Sequence, residues 1–153
     1  MFGKLIAAVA LALILSSCAR PIYQQVANEP RGTTDNSKAS RCDIRFTQSQ
    51  HCLEYAWVTY PTESKPGEFL FKIYRLNLAD QSPMPVDHNL KLQVVLWMPS
   101  MGHGSTPVTV TRLDVGTFSA TKVFFVMPGE WEIKFQLKDE EALQDEAILS
   151  LNF

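Results

Sequence analysis

Apolar and polar residues alternate along most of the chain from Cys42 onward. In residues 90–98 every second position is apolar, and Lys91 and Gln93 lie between these positions. Residues 130–137 alternate in the same way, with an apolar set that begins at Trp131. Alternation of this kind, rich in β-branched and aromatic residues, is typical of strands with one buried face. The pattern therefore predicts half-buried β-strands.

Five further segments have the same strand-like character. They read CLEYAWVTY, EFLFKIYRL, PVTVTRLDV, GTFSATKVFFVM and AILSLNF. Turn signals rich in Pro, Gly and Asn separate the seven segments. Seven short strands with regular turn spacing predict an all-β fold, an immunoglobulin-like β-sandwich of about seven strands that spans residues 42–153. One segment, residues 137–147, is helix-like, and we expect a charged loop with a single turn there.

The N-terminal sequence predicts export and lipidation. Lys4 precedes an apolar run, residues 5–15, which is shorter than the roughly 20 residues of a spanning helix but suits a secretory signal. The sequence LSSC, ending at Cys18, looks like a bacterial lipobox, in which the cysteine becomes the lipidated first residue. The alternative is an ordinary signal with a cysteine there by chance. Residues 1–17 are therefore predicted to be a lipoprotein signal peptide.

The composition of the next segment predicts a flexible tether. Residues 18–41 are rich in Pro, Gly, Asn, Gln, Ser and Thr and poor in large apolar residues. Residue 19 is Ala rather than the Asp that favours retention in the inner membrane. We therefore expect the domain to be anchored through lipid to the outer membrane and to face the periplasm.

Export also bears on the two cysteines that lipid does not use. Cys42 and Cys52 are an even pair in an oxidising compartment, so a disulfide is predicted. The alternative is a metal site in which both thiols act with His51.

Charge and motifs narrow the classes of function. The formal net charge is −2, and removal of the predicted signal also removes Lys4 and leaves −3. With no basic patch, nucleic acid is not an expected partner. Ser105 lies near His103, but no strand-to-helix elbow surrounds it, and no glycine-rich phosphate loop or HExxH motif occurs. The chain is therefore not expected to be an enzyme.

The stretch WMPSMGHGSTP, residues 97–107, holds two methionines and a histidine between two predicted strands. Thioether sulfur is a soft ligand that selects Cu(I), and imidazole also suits copper. Met98, Met101 and His103, together with Met127 in a second Met-Pro element, are therefore candidate metal ligands, with Trp97 or Trp131 placed to shield the ion. The alternative is that these residues have a structural role. Met98 lies on the same face of its predicted strand as Leu96, and methionine fills irregular core ends well. The other loop histidine, His88, is expected to be a solvated turn residue rather than a ligand.

Three motifs in this order resemble the YtkA-like/FixH-like domain family. They are MPSMGHG, GTF and FVMPGEWEIKF, and the resemblance covers roughly residues 67–137. It implies a small extracytoplasmic β-sandwich, with Met98, Met101, His103 and Met127 at the motif positions. The FixH branch of the family is associated with copper delivery or cytochrome oxidase assembly. FixH-type proteins carry a transmembrane anchor, whereas this chain has a lipobox. The resemblance therefore implies the same kind of domain more readily than the same partner system.

Two functions follow as expectations. The first is a lipid-anchored, extracytoplasmic copper-binding or copper-handling accessory protein with Cu(I) as its ion. The second is a non-catalytic interaction module that binds a protein of the cell envelope, in which the Met/His loop is structural. The first needs methionine sulfurs and a histidine nitrogen gathered near the surface. The second expects the sulfurs buried apart and an exposed apolar patch elsewhere.

Overall fold

The computed structural model describes residues 42–153, which form ten β-strands. The predicted signal peptide, the lipidated Cys18 and the tether lie outside the described residues. The strands are β1 (Ile44–Arg45), β2 (Cys52–Thr59), β3 (Gly67–Leu76), β4 (Pro83–Pro85), β5 (Lys91–Met98), β6 (His103–Gly104), β7 (Thr109–Asp114), β8 (Thr117–Val123), β9 (Glu130–Asp139) and β10 (Ala142–Asn152). Within this part of the chain, no helix is long and apolar enough to cross a membrane.

The ten strands form two antiparallel sheets. One sheet has the order β1-β2-β3-β8-β7, with β4 added to β3, and the other has the order β10-β9-β5-β6. Seven strands are longer than three residues, and these are the seven that the alternation predicts. Lettered A to G in chain order, they form an A-B-E-D sheet and a C-F-G sheet, which is the topology of an immunoglobulin constant-type sandwich. The predicted fold class is therefore confirmed.

The core lies between the two sheets and is built from the predicted apolar faces. In β9 the inward positions Trp131, Ile133, Phe135 and Leu137 are almost fully buried. In β5 the inward positions Val94, Leu96 and Met98 are buried in the same way. Phe69 and Phe71 of β3 pack edge-on or tilted against Phe135, which joins the two sheets across the core. Aromatic pairs in these orientations add to the stability that burial alone supplies.

The segment expected to be a charged loop with one turn is a β-hairpin. β9 runs to Asp139 and β10 begins at Ala142, and these two residues are cross-strand partners. Glu140, between them, takes a positive φ of 53°, which lets the chain reverse within two residues. The helix-like composition is overridden because β9 offers an open edge with which residues 142–152 can pair.

Two features fix the N-terminal end of the domain to the sandwich. Cys42 and Cys52 form the predicted disulfide, with an S–S distance of 2.06 Å, so the hypothesis of a thiol metal site with His51 is wrong. The carboxylate of Asp145, in β10, accepts hydrogen bonds of 2.8 Å from the backbone N–H groups of Gln48 and Ser49. Burial alone would raise the pKa of Asp145, but these donors outweigh it and hold the pKa below its ordinary value.

Candidate metal-binding pole

The four predicted metal ligands lie at one end of the sandwich, and we call residues 98–105 together with residues 127–131 the methionine pole. A tight turn follows β5. The carbonyl oxygen of Met98 accepts hydrogen bonds from the N–H groups of Met101, at 3.2 Å, and Gly102, at 2.9 Å. Gly102 has a φ of 66°, a conformation that glycine adopts without strain. The chain therefore reverses at once and returns as β6 beside β5.

The turn places Met98 and His103 directly opposite each other. They are cross-strand partners in the β5–β6 pair. Directly opposed residues of an antiparallel pair project to the same face, with Cβ atoms about 4.5–5.5 Å apart. Met98 is 3% exposed, so this shared face is the inner one. His103 is half-buried, and its ring lies 6.5 Å from the ring of the buried Trp131.

The environment of His103 leaves one ring nitrogen available. Its Nδ1 lies 3.1 Å from the carbonyl oxygen of Gly104. A carbonyl oxygen can only accept, so in a neutral imidazole Nδ1 must carry the proton and Nε2 must carry the lone pair. Many metal-binding histidines are oriented in this way, with one ring N–H donated to a carbonyl oxygen.

The loop between β8 and β9 brings Met127 to the same pole. The indole N–H of Trp131 donates a 3.0 Å hydrogen bond to the carbonyl oxygen of Met127. Two residues further on, a Cβ built on Gly129 would lie 2.6 Å from Cε of Met98. The Ser105 hydroxyl donates to the carbonyl oxygen of Phe124, which ties the β5–β6 hairpin to this loop. Met127 was expected to end a strand, but β8 already ends at Val123, so Met127 lies in the loop.

Met101 occupies a different position from the other three. It lies at the tip of the turn, and its side chain is 58% exposed. The pole thus combines a buried thioether at Met98, a half-buried imidazole at His103, a half-buried thioether at Met127 and an exposed thioether at Met101.

Of the two tryptophans expected to shield an ion, only Trp131 lies beside the candidate ligands. Trp97 precedes Met98 in β5 and so projects from the opposite face of the sheet. There the ammonium of Lys134 lies 5.6 Å from its ring centroid. Because strand parity turns the Trp97 side chain away from the pole, Trp131 is the tryptophan of the two that could shield an ion.

The donor set at the pole is soft. Within residues 42–153 there is no group of three or more His, Cys, Asp or Glu residues that could hold a metal ion. Thioethers with a single imidazole suit Cu(I), whereas carboxylate and carbonyl sites suit Mg²⁺, Ca²⁺ or Mn²⁺. The residues at the pole therefore fit the donor chemistry of Cu(I).

The remaining two histidines lie close together at another part of the sandwich. His88 was expected to be a solvated turn residue, but it is half-buried and its ring centroid lies 5.1 Å from that of His51. No local pattern predicts this contact, because it arises from the packing of two loops that are distant in sequence.

Comparison with known families decides the classification. The family model described as YtkA-like matches residues 47–136, which include Met98, Met101, His103 and Met127. The chain belongs to the YtkA-like family. This confirms the resemblance that the three sequence motifs indicated, over a region that runs from just after β1 almost to the end of β9. Neither a curated protein nor a solved structure matches the chain.

Proposed function

We propose that this YtkA-like domain binds Cu(I) at the methionine pole and acts as a copper-handling accessory protein of the cell envelope. The observation that carries the proposal is the cross-strand pairing of Met98 with His103. It sets a thioether and an imidazole on one face of the same hairpin, and Nε2 of that imidazole carries its lone pair. Met127 supplies a second thioether from the adjoining loop.

The burial of the ligands suggests how the ion would enter and leave. Met101 is exposed at the tip of the turn, whereas Met98 is enclosed by the core. An exposed thioether can take an ion from a donor or offer it to an acceptor without unfolding the site. We infer that Met101 makes the first contact with Cu(I), and that the more enclosed ligands hold it.

The cellular setting is part of the proposal. A lipid anchor at Cys18 and the tether that follows it would hold the pole near the outer membrane on the periplasmic side. Thioethers suit that compartment because, unlike thiols, they are not lost to disulfides. In this proposal the protein transfers an ion and does not catalyse a reaction.

Competition for Cu(I) against a colorimetric chelator tests the function. Met101→Leu conserves volume and apolarity, so a packing role predicts almost no change in affinity. A ligand role predicts an affinity loss of about tenfold or more, equivalent to roughly 1.4 kcal/mol. His103→Ala should weaken binding in the same direction. Wild-type affinity should fall on acidification, because only neutral imidazole binds metal.

Met84→Leu is the matched control, since Met84 is also exposed but lies in β4, outside the pole. It should bind Cu(I) as wild type does. The proposal fails if wild type holds no Cu(I) at micromolar concentration, or if Met101→Leu and Met84→Leu bind equally well.

A second candidate function has one observation in its favour. Val58 and Leu70, in the adjacent strands β2 and β3, are exposed apolar residues, and the exposed Tyr60 follows β2. Exposed apolar residues that form a contiguous patch are typical of protein-binding surfaces. As an interaction module, the protein would bind an envelope partner through these residues, and Val58→Lys with Leu70→Lys would abolish that binding while leaving Cu(I) affinity unchanged.

A further inference from the structure

Two histidines meet at the end of the sandwich opposite the methionine pole. His51 directly precedes β2, and His88 lies in the loop between β4 and β5. Their ring centroids are 5.1 Å apart, with an angle of 59° between the ring planes. β5 runs from this end to Met98, and its eight residues span about 25 Å. The histidine pair is therefore separate from the proposed Cu(I) site and does not depend on it.

Each of the two imidazoles has a buried nitrogen without a partner. Nδ1 of His51 and Nε2 of His88 are inaccessible to solvent, and neither has a hydrogen-bond partner in residues 42–153. Most buried polar atoms in folded proteins are paired, so an unpaired atom on each of two adjacent rings calls for an explanation. A ligand that accepts both lone pairs would supply it.

The spacing of the rings suits a shared metal ion. Two imidazoles that bind one ion at about 2.0–2.1 Å and at a tetrahedral angle have ring centroids about 5 Å apart. The observed separation is 5.1 Å. The centroid separation therefore matches that of a shared ion, toward which rotation about the side-chain torsions would turn the two nitrogens.

We propose that His51 and His88 form a two-imidazole binding site for a divalent transition-metal ion of the Zn²⁺ class. Nδ1 of His51 and Nε2 of His88 are the ligands, and water completes the coordination. An ion held in this way cross-links residues 46–51, which adjoin the disulfide, to the loop before β5. It would therefore stabilise the end of the domain that continues into the predicted tether.

The surrounding charges favour a cation near the pair. Burial lowers the pKa of both rings, and the nearby His51 further lowers the pKa of His88, which keeps both in the neutral, metal-binding form. The carboxylate of Asp145 lies near both rings and attracts positive charge. Asp87 acts similarly on His88 but is paired with Arg112 at 2.8 Å, and Arg75 opposes a cation at His51. Asp145 already accepts hydrogen bonds from residues 47–49 and is therefore a neighbouring charge rather than a ligand.

A cleft adjoins one of the two histidines, His88. This cleft has a volume of about 220 Å³ and is lined on one side by His88, with Leu92 and Phe118 among its other walls. Its walls are mostly apolar apart from His88 and Arg112, so His88 is the metal-binding side chain of the cleft.

Titration of the full-length chain, purified in detergent, with Zn²⁺ alone tests the proposal. Calorimetry should show one Zn²⁺ per chain. In His51→Asn and His88→Gln, the side-chain amide approximates the replaced ring nitrogen in size and hydrogen bonding. Each variant should weaken Zn²⁺ binding at least tenfold. His103→Ala should bind Zn²⁺ as wild type does, although it should lose Cu(I) affinity. This contrast separates failure of the histidine pair from failure of the methionine pole.

A second measurement avoids any dependence on the folding of the variants. In wild type, side-chain NMR signals of His51 and His88 should shift together at substoichiometric Zn²⁺, while those of His103 stay in place. The proposal is overturned if wild type binds no Zn²⁺ at millimolar concentration, if the His103 signals shift first, or if His51→Asn and His88→Gln bind as tightly as wild type.

Discussion

Met98, at the end of β5, and Gly129, in the loop between β8 and β9, are in direct contact: a Cβ built on Gly129 would lie 2.6 Å from the terminal methyl of Met98. Gly129 also has a φ of 143°, in a region that side chains rarely adopt. The absence of a side chain at residue 129 therefore sets the position of the Met98 thioether at the methionine pole.

We predict that Gly129→Ala displaces Met98 and destabilises the domain. The new methyl group would push the flexible end of Met98 aside, and the backbone strain costs roughly 1–3 kcal/mol. Cu(I) affinity should fall because the Met98 sulfur moves. The checks are the ¹³C signal of the Met98 methyl group and denaturant unfolding.

Gly102→Ala is the control for strain alone. Gly102 has a φ of 66°, and a Cβ there would meet nothing within 4 Å. This variant should lose about 1 kcal/mol and leave the Met98 methyl signal unchanged. If both variants displaced the Met98 signal equally, contact with a side chain at residue 129 would not be the cause of the displacement.

Reduction of the Cys42–Cys52 disulfide should destabilise the domain without unfolding it. The bridge closes a short loop, with a sequence separation of 10 residues, and stabilises by about 2–3 kcal/mol in the chain-entropy model. The melting temperature should therefore fall by several degrees on reduction. Thiol titration of the native protein checks the premise, since two reactive thiols before reduction would show that the bridge is not formed.

Acidification should destabilise the domain through the histidine pair. The pKa values of His51 and His88 are lowered, mainly by burial, so below their ordinary value of about 6.5 the unfolded chain binds protons that the folded chain resists. This contribution to stability is fully present above about 6.5 and is lost as the pH falls below that value. Urea unfolding in the presence of EDTA measures the slope.

The double variant His51→Asn with His88→Gln serves as the comparison for that slope. It should flatten the dependence over the same pH range, whereas Asp145 retains its charge there because its pKa lies below the ordinary value for a carboxyl. If the slope of stability against pH were unchanged in the double variant, groups other than His51 and His88 would be responsible for it.

Cys18→Ala should abolish lipidation. The chain should then stay unprocessed at the membrane or appear in the soluble fraction. Partitioning into the detergent phase, with mass spectrometry of the N-terminus, measures this. A variant that partitions like wild type would contradict the lipid-anchor hypothesis. The double variant Cys42→Ala with Cys52→Ala controls for the loss of cysteine in general.

Alternation predicts the seven long strands because each buries one face against the core. It does not predict β1, β4 or β6, which have two or three residues and are too short to show a period. Their pairing depends on neighbours: β6 forms because the turn after Met98 returns the chain to β5. The start of β10 is missed for a related reason, since its exposed, acidic residues resemble a helix until β9 provides a partner.

The candidate sites, like the strands, are predicted from the sequence only in part. Residue chemistry and motif order identify Met98, Met101, His103 and Met127 as a set, but burial distinguishes them. Whether a methionine lies under the core or at the tip of a turn depends on hairpin geometry, which spacing alone does not supply. The contact between His51 and His88 depends wholly on how two loops pack, so the sequence pattern carries no sign of it.

The disulfide also determines how mechanical force enters the domain. A pull along the predicted tether reaches Cys42 first, and the covalent bridge passes it straight to Cys52 at the start of β2. Residues 43–51 lie outside that path, so their hydrogen bonds to Asp145, formed across 96 to 98 residues of sequence, bear no load. Once the bridge is reduced, the same pull passes through β1 and the turn that follows it, and so reaches these bonds. An oxidised domain is thus loaded through a strand that is paired along its length with β3, and a reduced domain through the two-residue β1 and the turn after it.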